Sequence, residues 1–351
     1  MAAPPTTYTE QDLQDAVRGG VISETEANAF RSYMASRSPQ VDEEAFHLFR
    51  GFNDVFVALA SVLLLTGITW FTDGLGVVAA CLIVMAVAAG LSEYFTLRRR
   101  LALSSIVYAV AFSVAAATAV FRAFWPDDII VLNGVMVGAL HTVTKFGITS
   151  ALACGAAAAG LFWWRYRVPI AVAVSMFFLG AMLYWAWVLF SPFENPFLGA
   201  NIVLLALGVG AFSFAMYWDV RDPDRTSLHS DIAFWLHLLA APAIAHPIFW
   251  WVQSGGLPAD WMEATAVVGC YLGLACVAVV VNRRAIMVAA TAYLIGAVAW
   301  YFEELSAFHS VAISLVLIGC LFLAMAVWWS TIRAALIRHL PGTVRNVVAP
   351  A

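Results

Sequence analysis

Two histidines inside one strongly apolar segment offer the clearest chemistry in this chain. Residues 230–251 read SDIAFWLHLLAAPAIAHPIFWW, with His237 in the first half and His246 in the second. Imidazole passes protons or ligates metals near neutral pH, and an ionisable group among apolar residues is costly enough to call for a reason. Pro242 and Pro247 lie in the same segment, and each removes a backbone donor, so a helix here is expected to kink or loosen. At 3.6 residues per turn, nine positions put the two histidines on about opposite faces. They are not expected to share a ligand unless the prolines rotate one of them. The plainer alternative is a neutral histidine hydrogen-bonded to a neighbouring helix.

Other groups could join His246. Glu303 and Glu304 close a later apolar stretch, His309 opens the next, and His141 and Lys145 lie on a long connection. If they converged, they would form a carboxylate–imidazole cluster able to relay protons or hold a divalent cation, with His246, His309 and Glu303 as ligands. A solvated rim accounts for Glu303 and Glu304 without any site. No H-E-x-x-H, G-x-S-x-G or P-loop is present, which argues against established hydrolase or NTPase chemistry, and no cofactor is expected. The five cysteines, Cys81, Cys154, Cys270, Cys276 and Cys320, sit in apolar stretches without a C-x-x-C and read as packing residues.

The elements that must position these groups follow from hydropathy. The 351 residues are 63% hydrophobic and 11% charged, with a mean hydropathy of +0.85; so few charges point to a membrane protein. Apolar runs near 53–72, 75–95, 102–122, 147–164, 168–190, 198–217, 231–252, 264–281, 285–302 and 309–331 are each long enough to cross a bilayer as a helix. The expected fold is therefore an all-α polytopic bundle of about ten transmembrane helices. Its parts are an N-terminal arm (1–50), the membrane domain (51–331) and a tail (332–351).

Arginine orients the bundle. The arm carries Arg18, Arg31, Arg37 and Arg50, and every second connection carries Arg98–Arg100, Arg165 and Arg167, Arg221 and Arg225, or Arg283 and Arg284. The tail adds Arg333, Arg338 and Arg345, whereas the alternate connections hold only Arg122 and Lys145. By the positive-inside rule both termini are cytoplasmic. The same parity makes residues 129–145 an external interfacial or re-entrant helix, or an extension of the fourth span, rather than a crossing. Tryptophans cluster at the ends of the spans, as interfacial rings do. The arginine and alanine bias suggests a bacterial plasma membrane, and the polar arm lacks the pattern of a cleavable signal.

Within the spans, Gly269 and Gly273 make a GxxxG, and Ala86 with Gly90 and Ala151 with Gly155 make small-xxx-small pairs expected at close helix contacts. A shift of 116 lays Arg167 on Arg283 and Cys154 on Cys270, so 147–218 and 264–329 could be a parallel repeat. Among scattered polar groups, Asn53 and Asp54 suit the N-terminus of the first span, as Ser230 and Asp231 suit that of the seventh. Glu93 lies a turn from Arg98 and can pair with it. Asn201 suits an interhelical hydrogen bond.

The arm carries two helix-start patterns of the capping-box type, TEQD from Thr9 and SETE from Ser23, with Gly19 and Gly20 between them. Ala27, Phe30 and Met34 fall on one face of the second helix. The stretch LQDAVRGGVISETEANAFRSYM resembles the short helical element that opens a family of uncharacterised bacterial multi-spanning membrane proteins. That resemblance implies a cytosolic helical hairpin ahead of hydrophobic hairpins, and no catalytic residues. Residues 9–36 could then contact a protein partner or a second copy of the chain. No basic cluster with interleaved aromatics occurs, so no nucleic-acid role is expected.

With so little mass outside the bilayer, the expected function is transporter-like or permease-like, for a small solute or ion. His237, Pro242 and His246 would line the path, with Glu303, Glu304 and His309 at its outer end. The rivals are a non-catalytic sensor or assembly factor acting through the arm, and a membrane-embedded metal or redox enzyme.

Overall fold

A computed structural model describes residues 10–37, 52–124, 138–222, 227–254, 260–284, 286–288, 291, 294–295 and 307–342. The described residues are helical and contain no strand. They fall into two compact units, 1–45 and 46–351.

The first unit is a helical hairpin, α1 (Glu10–Arg18) and α2 (Glu24–Arg37). Gly20 has a φ of 68°, the left-handed conformation that ends helices, and the Val21 N–H returns to the Ala16 carbonyl at 2.9 Å. The SETE capping box forms. Glu26 N–H donates to Ser23 Oγ at 3.2 Å, and Glu26 Oε2 accepts from the Ser23 N–H at 2.8 Å and from its hydroxyl at 2.7 Å. These bonds hold the Glu26 carboxyl below its ordinary value. Thr9 and the side chain of Met34 lie outside the described residues. Ala27 is buried but Phe30 is 47% exposed, so the apolar face of α2 is only partly covered.

The second unit contains α3 (Phe52–Phe71), α4 (Val77–Ser92), α5 (Ala102–Phe124), α6 (Gly138–Tyr166), α7 (Ile170–Phe190), α8 (Pro196–Arg221), α9 (Leu228–Ser254), α10 (Asp260–Val281) and α11 (Ala307–His339). Among the described residues, eight helices are long and apolar enough to cross a membrane: α3 to α9, with α4 continued by a π-helical turn through Arg98, and α11. The eighth expected span corresponds to α10, counted as a shorter apolar helix over Thr265–Val281. Most of the ninth, 285–302, lies outside the described residues.

Two differences concern boundaries. Helix α6 begins at Gly138, so the later part of 129–145 is an extension of the fourth span; residues 125–137 lie outside the described residues. Helix α11 runs to His339, into the stretch read as a tail. Arg333 and Ile337 are buried on it, so packing continues where hydropathy ends.

Helices α3 to α7 share a core that includes Leu65, Val84, Tyr108, Phe162 and Ala171. Helices α9 to α11 share another, around Ala241, Tyr271, Ala278, Ile318 and Trp329. Trp329 therefore belongs to the core rather than to an interfacial belt, because its indole N–H finds the Asn282 side-chain oxygen at 2.8 Å. The close helix approaches are not all where the small-residue pattern points. Gly269, Gly273, Ala86 and Gly90 face outward. A Cβ at Gly155 would fall 2.7 Å from the Phe178 ring, and one at Gly208 would fall 2.9 Å from the Ala243 backbone. Glycine thus lets α6 approach α7 and α8 approach α9.

Candidate functional site

Helix α9 runs unbroken from Leu228 to Ser254 with Pro242 and Pro247 inside it. The rest of the bundle holds it: half of the span 228–252 is buried, the largest share among the eight. Pro247 has no N–H to offer the Ala243 carbonyl, and it is at this point that Gly208 brings α8 against α9. The prolines thus lie inside a continuous helix, with α8 packed against it at Pro247's turn.

His237 is fully buried. Its Nε2 lies 2.8 Å from Asp219 Oδ2, near the end of α8, and its ring meets Phe212 edge-on with centroids 5.2 Å apart. The same carboxylate binds Arg283. The guanidinium Nε donates to Asp219 Oδ2 at 3.3 Å, and one terminal nitrogen donates to Asp219 Oδ1. That nitrogen also donates to the Ser230 hydroxyl oxygen at 3.3 Å and to the Ser230 carbonyl at 3.5 Å. Arg283 is 2% exposed and the Asp219 side chain 11%. Asp219, His237, Ser230 and Arg283 thus form one buried polar centre joining α8, α9 and the residues that follow α10.

Two sequence expectations are refined here. The sequence reads His237 either as a path residue or as a neutral histidine bonded to a neighbouring helix, and here it shares a carboxylate with an arginine of one of the connections. The sequence places Arg283 with Arg284 in a connection between spans, yet Arg283 is among the most buried side chains. The turn at the end of α10 explains the second change. Asn282 has a φ of 57°, and the Arg283 N–H reaches back to the Ala278 carbonyl at 2.9 Å. This closure directs the chain inward, with Asn282 fixed by Trp329. Arg167, at φ 53°, is the residue in the same conformation after α6. The two turns therefore match one position out of step with the alignment that lays Arg167 on Arg283.

The chemistry of the centre is that of a coupled charge site. With His237 neutral, Asp219 and Arg283 cancel. A proton on His237 makes the group net positive inside a poorly screened environment. With Arg283 and His237 on one carboxylate and Ser230 behind the guanidinium, the centre can hold or release a proton on His237 while the Asp219–Arg283 pair remains.

His246 is half-buried on the same helix, away from this centre. Glu303 and Glu304, and the side chains of His309 and His141, lie outside the described residues. The described residues contain no group of three or more metal-ligating side chains. Asp219 is absent from the sequence candidates. The signal that could have found it is a carboxylate inside an apolar span's last turn, which needs a partner in the bundle.

A second carboxylate centre lies among α3 to α6. Asp54 is 1% exposed and accepts from the backbone N–H groups of Ala102 and Leu103 at 3.1 Å and of Ser104 at 3.3 Å. It lies in the first turn of α3, as expected, and its oxygens also cap the start of α5. Glu93 pairs with Arg165 across the helices at 2.8 Å and accepts from the Tyr166 hydroxyl at 3.1 Å, in place of the expected pairing with Arg98. Asn201 is buried and donates within its own helix, to the Phe197 carbonyl at 2.9 Å.

Comparison with known proteins finds no matching family model, no similar curated protein and no similar solved structure.

Proposed function

We propose that the protein is a multi-pass transporter-like or permease-like protein for a small solute or ion, with the Asp219–His237–Arg283 centre as a proton-dependent latch between α8 and α9. The observation that carries this reading is a histidine buried to 0% exposure whose partner carboxylate is held by a buried arginine. A merely structural ion pair has no need of a third, titratable member. Helix α9 supports the reading further: it is continuous, but each of its two prolines removes a backbone hydrogen bond within the span that carries His237. His246 is the second polar station on that helix.

The proposed topology has ten crossings with both termini cytoplasmic, in a bacterial plasma membrane. It rests on the alternation of arginine-bearing connections and on the span-like helices. The test is proton flux in proteoliposomes bearing the full chain. His237→Gln keeps a hydrogen-bonding side chain but cannot carry the proton, and it is expected to abolish coupling to a pH gradient while insertion stays normal. Flux with unaltered pH dependence in this variant would remove the proposal.

A further inference from the structure

The arginine-rich end of α4 to α7 carries a feature the latch does not use. Arg98, Arg99 and Arg100 follow α4, Arg165 and Arg167 lie at the end of α6, and all five side chains are exposed. The Glu93–Arg165 pair joins the two turns, since Glu93 opens the π-helical turn that ends in Arg98. Among the described residues, this region thus holds five guanidinium groups and one exposed carboxylate, Glu93. The buried Asp54 is engaged by the α5 backbone.

Part of this group is pre-organised. Arg99 donates from two nitrogens to the Tyr94 hydroxyl, at 3.1 Å and 2.9 Å. Arg167 lies 5.6 Å from the centre of the Trp163 ring. The side chains of Arg98 and Arg100 have no hydrogen bond or ion pair among the described residues. Arg100 and Arg167 also adopt the left-handed backbone, at φ 52° and 53°, where glycine would sit without strain. The equivalent turn after α10 uses Asn282 there, so the conformation does not require arginine.

We propose that this platform docks the phosphodiester headgroup of an anionic phospholipid. It lies where span-like helices end, and a helix that crosses a bilayer ends near the lipid headgroups. The guanidinium fork matches phosphate oxygens in pairs. Tyr94, Trp163 and Trp164 supply the rings favoured at that depth, and Leu161 and Trp164 leave apolar surface beside the arginines for acyl chains.

The test places the full-length protein in nanodiscs of phosphatidylcholine with a minor fraction of phosphatidylglycerol, and reads retained lipid by native mass spectrometry. The wild type is expected to retain phosphatidylglycerol selectively, and excess inorganic phosphate is expected not to displace it. Arg98→Gln with Arg100→Gln is expected to lower that retention about 25-fold, at roughly fivefold per arginine. Arg338→Gln, at the exposed end of α11, is expected to leave it unchanged. Arg167→Gln serves as a single-site variant if the double one unfolds, with about a fivefold loss expected. Equal retention of both lipids would overturn the proposal, and so would an equal loss in the Arg338 variant.

Discussion

Asp54 and Asp219 are both carboxylates held within the bundle, and their surroundings divide the molecule. Asp54 is satisfied by three backbone N–H groups and the Ser104 hydroxyl. None of these donors changes charge, so the contact is a fixed clamp between α3 and α5. Asp219 is satisfied by an arginine and a histidine side chain, and one of these can gain or lose a proton. The same group is therefore a structural pin in one region and a centre that can change state in the other. The difference lies in the partners rather than in the depth of burial.

The largest effect is expected from Arg283→Met, which leaves Asp219 buried without its cation and should cost about 3–5 kcal/mol. Equilibrium unfolding in detergent measures it, and adding Asp219→Asn should recover part of the loss by removing the stranded charge. Asp54→Ala should cost less, about 2 kcal/mol, because it frees neutral backbone donors at a helix start. The dependence of flux on pH should be unchanged in that variant. A pH dependence altered by Asp54→Ala, or a milder effect from Arg283→Met than from Asp54→Ala, would break the contrast.

The smallest effect concerns Glu26, a third carboxylate held by backbone and hydroxyl donors, but fully open to solvent. Its carboxyl lies below the ordinary value in the folded hairpin. Its contribution is therefore complete above the ordinary value and is lost as pH falls through the lower, folded one. Acidification should lower the hydrogen-exchange protection factors at the start of α2, taken relative to the intrinsic rate at each pH, and Ser23→Ala should remove that pH dependence. Protection that is insensitive to both changes would mean the box adds nothing to helix order.

Local patterns were legible without the structure. SETE predicted the Ser23–Glu26 box, and Gly19–Gly20 the end of α1, because each rests on contacts within one turn of chain. Span-like helices were legible because an apolar run long enough to cross a bilayer must satisfy its own backbone. Where partners are distant in sequence, the patterns misled. Glu93 pairs with Arg165 instead of its near neighbour Arg98, and GxxxG at Gly269 and Gly273 faces outward. His237 was legible as an unusual residue, but its partners were not, since Asp219 and Arg283 are brought to it by two other segments.

The sequence by itself determined the helical class, the apolar segments, the alternation of arginine-bearing turns and the local caps. All of these depend on composition or on neighbours within a few residues. Only the tertiary structure decided which arginine leaves the surface, which glycine sits at a close helix approach and which carboxylate meets His237. Those outcomes depend on how helices rotate and stack, and a pattern read along one helix does not carry the face presented by another. Arg283 and Arg284 are adjacent and chemically alike, yet Arg283 enters the buried centre while Arg284 lies over the Trp329 ring, 5.2 Å from its centre. The left-handed turn at Asn282 precedes both, and the packing after it decides which of the two points into the bundle.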